Sequence, residues 1–176
     1  MRILVAEDEE DIGSVYCSIL VNRGHEVILT SDGEECLNVF RQKFQERQQR
    51  CHDDKISSSY PDVVILDYRM PKKDGMQAAK EILQVNPEQR IIFASAYVMQ
   101  TLVESVKELK RVVELMQKPL SMSALVHTVE NTEAYEGLKT LMATTRDIIK
   151  DFDNPSSDQI RELFDGLRKV QKFKGF

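Results

Sequence analysis

No stretch of this 176-residue chain approaches the roughly 20 consecutive apolar residues that a membrane-spanning helix needs, so no membrane association is expected. The opening MRILVAEDEE runs into acids almost at once and lacks the apolar centre of a signal peptide. Cysteine is scarce and odd in number. Cys17, Cys36 and Cys51 have no close paired spacing, which argues against a disulfide framework and fits reduced thiols in a cytoplasmic protein. Cys17 and Cys36 fall in helical patterns and read as packing residues. Positive charge is not in excess: the net charge of −5 weighs against a chain that as a whole binds nucleic acid or an anionic membrane. Internal repeats and low-complexity tracts are also missing.

What is present is enough apolar material for a core, at 41 % of residues, in a length that suits one domain plus an attachment. Short apolar runs alternate with helical patterns. Arg2–Ala6, Glu26–Thr30, Asp62–Leu66, Arg90–Ala94 and Val112–Gln117 are the strand candidates, and the first four are continuous, as expected for strands covered on both faces. Ile12, Val15, Tyr16, Ile19 and Leu20 keep helical spacing, with Gly24 as the stop. Leu37, Phe40 and Phe44 make a second stripe, and Met76, Ala79 and Leu83 a third, ending near Pro87. Leu102, Val103, Val106 and Leu109 make a fourth, and Met122, Leu125, Val126 and Val129 a fifth behind Ser121 as N-cap. Five strand–helix alternations predict an α/β fold: a doubly wound, five-stranded parallel sheet with helices on both faces.

Two stretches break this rhythm. Gln45–Pro61 is polar, serine-rich and long for a helix–strand connection, and reads as a mobile insertion. Its Cys51-His52-Asp53-Asp54 run contains metal-ligand types, but adjacent residues converge poorly on one ion, so no metal is assigned there. The second exception is the tail beyond about residue 130.

The segment VVILDYRMPKKDG drives four apolar residues straight into Asp67, with Pro71 and Gly75 forcing a turn soon after. A carboxylate at the end of a buried run needs a partner or a task, and capping the next helix is one such task. The other strand ends supply a second. In a sheet of this kind ligands bind beyond the carboxyl ends of the strands. Glu7 and Asp8 follow the first strand, Asp67 the third, Ser95 the fourth and Lys118 the fifth. Clustered carboxylates call for a cation, and Mg²⁺ suits hard oxygen ligands. A lysine and a hydroxyl beside such a site suit phosphoryl oxygens, and an aspartate held between them can be the nucleophile that takes the phosphoryl group.

With these residues in view, residues 1 to about 130, some three quarters of the chain, resemble the receiver domain of two-component response regulators. The resemblance rests on the acidic pair in ILVAEDEE, on ILDYRMPKKDG, on IIFASA and on the Lys-Pro of QKPL. It implies a flavodoxin-like sheet in the order 2-1-3-4-5, a cis bond between Lys118 and Pro119, and phosphorylation of Asp67 by a sensor histidine kinase or phosphotransfer protein. It further implies Mg²⁺ held by Asp8, Asp67 and the Arg69 backbone carbonyl, with Glu7 acting through water. Ser95 and Lys118 would contact phosphoryl oxygens beside the small Ala96. Such a chain is no enzyme beyond its own phosphorylation and dephosphorylation. The sequence departs from the family pattern in its Glu-Asp pair, in Ser95 for threonine and in Leu115, where the family carries an aromatic switch. Tyr97 is a possible substitute, so Ser95, Tyr97 and Leu115 are the switch candidates. No Gly-Ala turn precedes the fifth strand. A phosphohydrolase is disfavoured, because Arg69 occupies the place where a general acid would be needed. His25, His52 and His127 read as surface residues.

In the tail, residues 131–176, Leu138, Leu141, Met142, Ile148, Ile149 and Phe152 keep helical spacing from Gly137 onward. DFDNPSSD interrupts it, and Ile160, Leu163, Phe164, Leu167 and Val170 form another stripe, so a helical hairpin is expected. Val129 and Leu138 lie nine positions apart, on opposite sides of a continuous helix at about 100° per residue. Either the helix breaks between Asn131 and Gly137 or one long helix presents two faces. The tail is too short for a winged-helix output domain, and eight basic against six acidic residues over Gly137–Phe176 do not make a basic patch. Signalling through protein contacts, including a homodimer through the C-terminal helices, is therefore the expectation; a transcription regulator whose tail contacts DNA is the alternative.

Overall fold

The computed structural model describes residues 1–50, 60–96, 106, 108–109, 111 and 113–148. Five strands, β1 (Arg2–Ala6), β2 (Glu26–Thr30), β3 (Val63–Asp67), β4 (Arg90–Ser95) and β5 (Glu114–Gln117), form one parallel sheet in the order β2-β1-β3-β4-β5. Among the described residues, helices α1 (Glu10–Asn22), α2 (Gly33–Arg50), α3 (Gly75–Val85), α4 (Met122–Glu130) and α5 (Thr132–Ile148) accompany the sheet. The chain divides into two compact units at Val129 and Glu130, with the whole sheet in the first.

The continuous apolar runs follow from burial on both faces. Successive residues of a strand point to opposite sides, so β1, β3 and β4 need apolar residues at every position. On one side Leu4, Val64, Leu66 and Phe93 pack with Phe40 of α2 and Ile82 of α3. On the other Ile3, Val5, Ile65 and Ile92 pack with Leu20 of α1 and Leu125 of α4. Each such side chain contributes about 1.5–3 kcal/mol on full burial. β2 departs from the expectation. As an edge strand it alternates, with Glu26 and Ile28 exposed and only Thr30 fully buried.

Local signals set the element ends. Gly24 adopts φ +83° just after α1, a conformation that only glycine takes without strain. Ser121 accepts from the Ala124 amide at 3.1 Å and starts α4. α2 runs to Arg50, so positions 45–50 of the expected insertion are helical. Glutamine, glutamate and arginine are good helix formers, and Phe44 and Arg47 both pack on Tyr60, the arginine 5.1 Å from the ring centre. The remainder of that insertion up to residue 59, including Cys51-His52-Asp53-Asp54, lies outside the described residues. So do Leu102 and Val103 of the fourth stripe, Val112, and the tail beyond residue 148.

In the second unit the helix breaks at Asn131, whose side chain accepts from the Ala134 amide at 3.1 Å. α5 therefore begins at Thr132, earlier than the expected Gly137, and Gly137 sits inside it. Asn131 is a strong cap, which decides the break.

Candidate functional site

The register aligns the carboxyl ends of four strands. Ala6 of β1 stands beside Leu66 of β3, Asp67 beside Ala94 of β4, and Ser95 beside Gln117 of β5. Asp67 and Ser95 are thus the last residues of their strands, one position further in than the sequence pattern placed them. The residues that follow β1 and β5, Glu7 and Lys118, are brought to the same edge.

Lys118 joins them. Its ammonium donates to both oxygens of Glu7, at 2.8 and 2.7 Å, and to Asp67 Oδ2 at 2.8 Å. Glu7 is 3 % exposed and Asp67 8 %, so two carboxylates and one ammonium share a largely dehydrated pocket. Burial pushes the Glu7 carboxyl up to about 7, with the Lys118 hydrogen bond pulling the other way and Asp67 adding to the rise. Burial also favours the neutral lysine, but the hydrogen bonds it donates to Asp67 and Glu7 outweigh that and hold Lys118 above its usual range. The third acid, Asp8, is exposed at the mouth. Glu7, Asp8 and Asp67 each bring a carboxylate oxygen within 4.8 Å of the other two. That all-oxygen set fits a hard cation such as Mg²⁺.

The capping reading of Asp67 does not survive. The cap of α3 is Asp74, which accepts from the Gln77 amide at 2.8 Å. Asp67 instead receives Lys118 and, at 3.4 Å, the Arg69 amide. Ser95 is buried at 2 %, its carbonyl accepting from the Lys118 amide at 2.7 Å, and Ala96 is exposed beside it. The Lys118–Pro119 bond is cis. Of the switch candidates, Leu115 packs half-buried against the α2–α3 side of the core, and Tyr97 lies outside the described residues. His127 is exposed, whereas His25 is half-buried and within 3.3 Å of the chain's amino terminus. Cys36 is in the core, where burial pushes its thiol up to about 12, and Cys17 is half-buried.

Two groups escaped the sequence reading. Tyr16 of α1 is buried near the site, its phenol pushed up to about 12 by burial and also by Glu7 and Asp67 against the pull of Lys118. Asp32 and Lys72 form an ion pair of 2.6 Å that ties the β3–α3 loop to the start of α2. Asp-Gly before a helical stripe is a capping signal, so Asp32 was legible as a cap; its partner, 40 residues on, was not.

The family described as response regulator receiver domain matches residues 3–130. The transcriptional regulatory protein RprY of Bacteroides fragilis is 31 % identical over 132 residues, 74 % of this chain and 48 % of its own length. The chain thus spans about half the length of the curated relatives it matches. A response regulator receiver domain protein from Clostridium thermocellum superposes with a TM-score of 0.60 at 28 % identity, over 78 % of this chain and 97 % of that one. The response regulator TrrA of Thermotoga maritima, solved with Mg²⁺ and BeF, gives 0.58 at 27 % identity over 73 % and 96 %.

Proposed function

The chain belongs to the response regulator receiver family, and from that premise we propose that it relays a signal by accepting a phosphoryl group on Asp67. The observation that carries this is the placement of Asp67 at the end of a fully buried strand, 2.8 Å from the Lys118 ammonium and within reach of Glu7 and Asp8. A sensor histidine kinase or phosphotransfer protein is the donor. An Asp67 carboxylate oxygen attacks the phosphorus, the P–O bond forms as the P–N bond of phosphohistidine breaks, and the imidazole keeps the electron pair and takes a proton from water.

Asp8, Asp67 and the Arg69 carbonyl would hold Mg²⁺, with Glu7 acting through water, and the ion would supply positive charge against the phosphoryl oxygens. Lys118 is already pointed at the acceptor and changes partner from carboxylate to phosphoryl oxygen. Ser95 donates its hydroxyl to a second oxygen, and Ala96 leaves room. Beyond this self-phosphorylation and its reversal the chain is not an enzyme. Residues 1–130 are the phosphoacceptor domain and 131–176 a helical extension that pairs with its copy in a homodimer. The free Cys17 and Cys36 support a reducing, cytoplasmic setting.

Incubation with Mg²⁺ and acetyl phosphate, followed by peptide mass spectrometry, tests the central claim. One phosphoryl group on the peptide containing Asp67 is expected, and none in Asp67→Asn, which keeps the shape and removes the nucleophile. Undiminished uptake in that variant, or a label elsewhere, overturns the proposal.

A further inference from the structure

The loop between β3 and α3 carries the Arg69 carbonyl and follows Asp67 directly, so its conformation sets the geometry of both. That loop is stitched to a neighbour that no site motif includes, the junction of β2 and α2. Lys72 Nζ lies 2.6 Å from Asp32 Oδ2, and the Asp32 side chain is only 3 % exposed. The other oxygen of Asp32 accepts from the Glu35 amide at 2.8 Å and caps α2. One carboxylate thus holds the end of a helix and the tip of the loop at once. Next to it the Gly33 amide donates to the Lys73 carbonyl at 3.2 Å. A side chain at Gly33 would place its first carbon 2.4 Å from that oxygen, so the two backbones touch. Lys73 adds a second tie through Glu81 of α3, which also receives Arg41 of α2 at 2.9 Å.

Lys72 itself has φ +60°, a left-handed conformation uncommon for a residue other than glycine, asparagine or aspartate. A lysine in such a position suggests that its side chain is needed there. The Lys72 hydrogen bond draws the Asp32 carboxyl below the usual carboxylate range, so the pair stays charged through the physiological range.

We propose that Asp32 and Lys72 form a clamp that positions the β3–α3 loop, and with it the Arg69 carbonyl and the Asp67 carboxyl, for cation and phosphoryl binding. The two are positioning residues: neither touches the pocket. This rests on the assignment of Asp67 and Arg69 given above.

Three variants of the full chain separate the clamp from its structural background. Asp32→Asn keeps a good N-cap and loses the charge that Lys72 pairs with. Lys72→Asn removes the ammonium and keeps a residue that tolerates positive φ. Lys72→Arg restores a cation. Mg²⁺ titration followed by amide NMR is expected to show a two- to fivefold weaker affinity, on the order expected for one partly exposed pair, in each asparagine variant. The double variant should be no worse than either single one, Lys72→Arg should lie near the wild type, and Lys72→Asn should unfold cooperatively in urea with a midpoint lowered no more than that of Asp32→Asn. Without metal, amides of residues 69–75 should exchange faster in both asparagine variants. Unchanged affinity and exchange, or losses that simply add in the double variant, would overturn the clamp. A wild-type chain that binds no Mg²⁺ sinks the functional reading instead, and the exchange rates then decide the clamp by themselves.

Discussion

Lys118 satisfies two acids at once, and that sets what each acid can do. Both Glu7 oxygens face its ammonium, whereas Asp8 stands exposed at the mouth. Asp8→Asn is therefore expected to weaken Mg²⁺ binding more than Glu7→Gln, as measured by titration; equal losses or the reverse order would count against direct ligation by Asp8. Arg90 is a second residue whose partners define its role. Buried at 5 %, it makes a two-point contact with Glu114 of β5 at 2.7 and 3.0 Å and donates to the Thr128 and Val129 carbonyls at the end of α4. It joins β4, β5 and α4 in one network. Truncation leaves a half-buried acid and two carbonyls without that partner, so Arg90→Ala should lower the unfolding free energy by about 3 kcal/mol in urea titration. A matched apolar replacement of Arg90 and Glu114 together should recover most of that loss.

Among the elements, the turn after β3 leaves no room for variation at one point. Gly75 begins α3 with its Cα packed against the strand it has just left: an added methyl carbon would lie 2.0 Å from the Asp67 carbonyl oxygen. Backbone cannot yield as a side-chain tip can. Gly75→Ala is expected to cost about 2–3 kcal/mol by displacing the loop, read by thermal denaturation together with loss of phosphoryl uptake; a variant matching the wild type in both would refute the close approach. At the start of α2 the lowered pKa of Asp32 has a definite sign. A carboxyl held below its unfolded value near 3.9 adds stability above that pH and loses it as pH falls through the folded value. The stability advantage of wild type over Asp32→Asn should thus be constant near neutrality and vanish in acid. An advantage that grew on acidification would contradict the ion pair.

At the scale of the whole molecule, α5 offers an apolar surface for association. Among the described residues α5 carries Leu138 at 51 % exposure, an apolar side chain in the middle of a helix. Pairing of α5 with its copy in a second chain would cover that side chain. The full chain is expected to sediment as a dimer at tens of micromolar, and Leu138→Glu should shift it towards monomer. A wild-type chain that stays monomeric with and without phosphorylation would dispose of the association.

The sequence by itself determined the fold and which residues stand at the carboxyl edge of the sheet, because both are written in local pattern. Continuous apolar runs require strands covered on two faces, and a strand's last residue is adjacent in sequence to whatever chemistry it delivers. Asp67, Glu7, Ser95 and Lys118 could be read that way without coordinates. The half-exposed β2 could not, since Glu26–Thr30 is as apolar as a central strand and only its edge position leaves it open. Nor could α2 be followed through positions 45–50, where Arg47 lies over the ring of Tyr60 near the far end of the insertion. Only the tertiary structure decided that Lys118 rests on Glu7 as well as Asp67, that Arg90 closes α4, and that Asp32 reaches Lys72. Each is a contact between polar groups dozens of residues apart. Periodicity fixes which face a residue occupies, and the distance between two side chains on different elements exists only once the elements have packed.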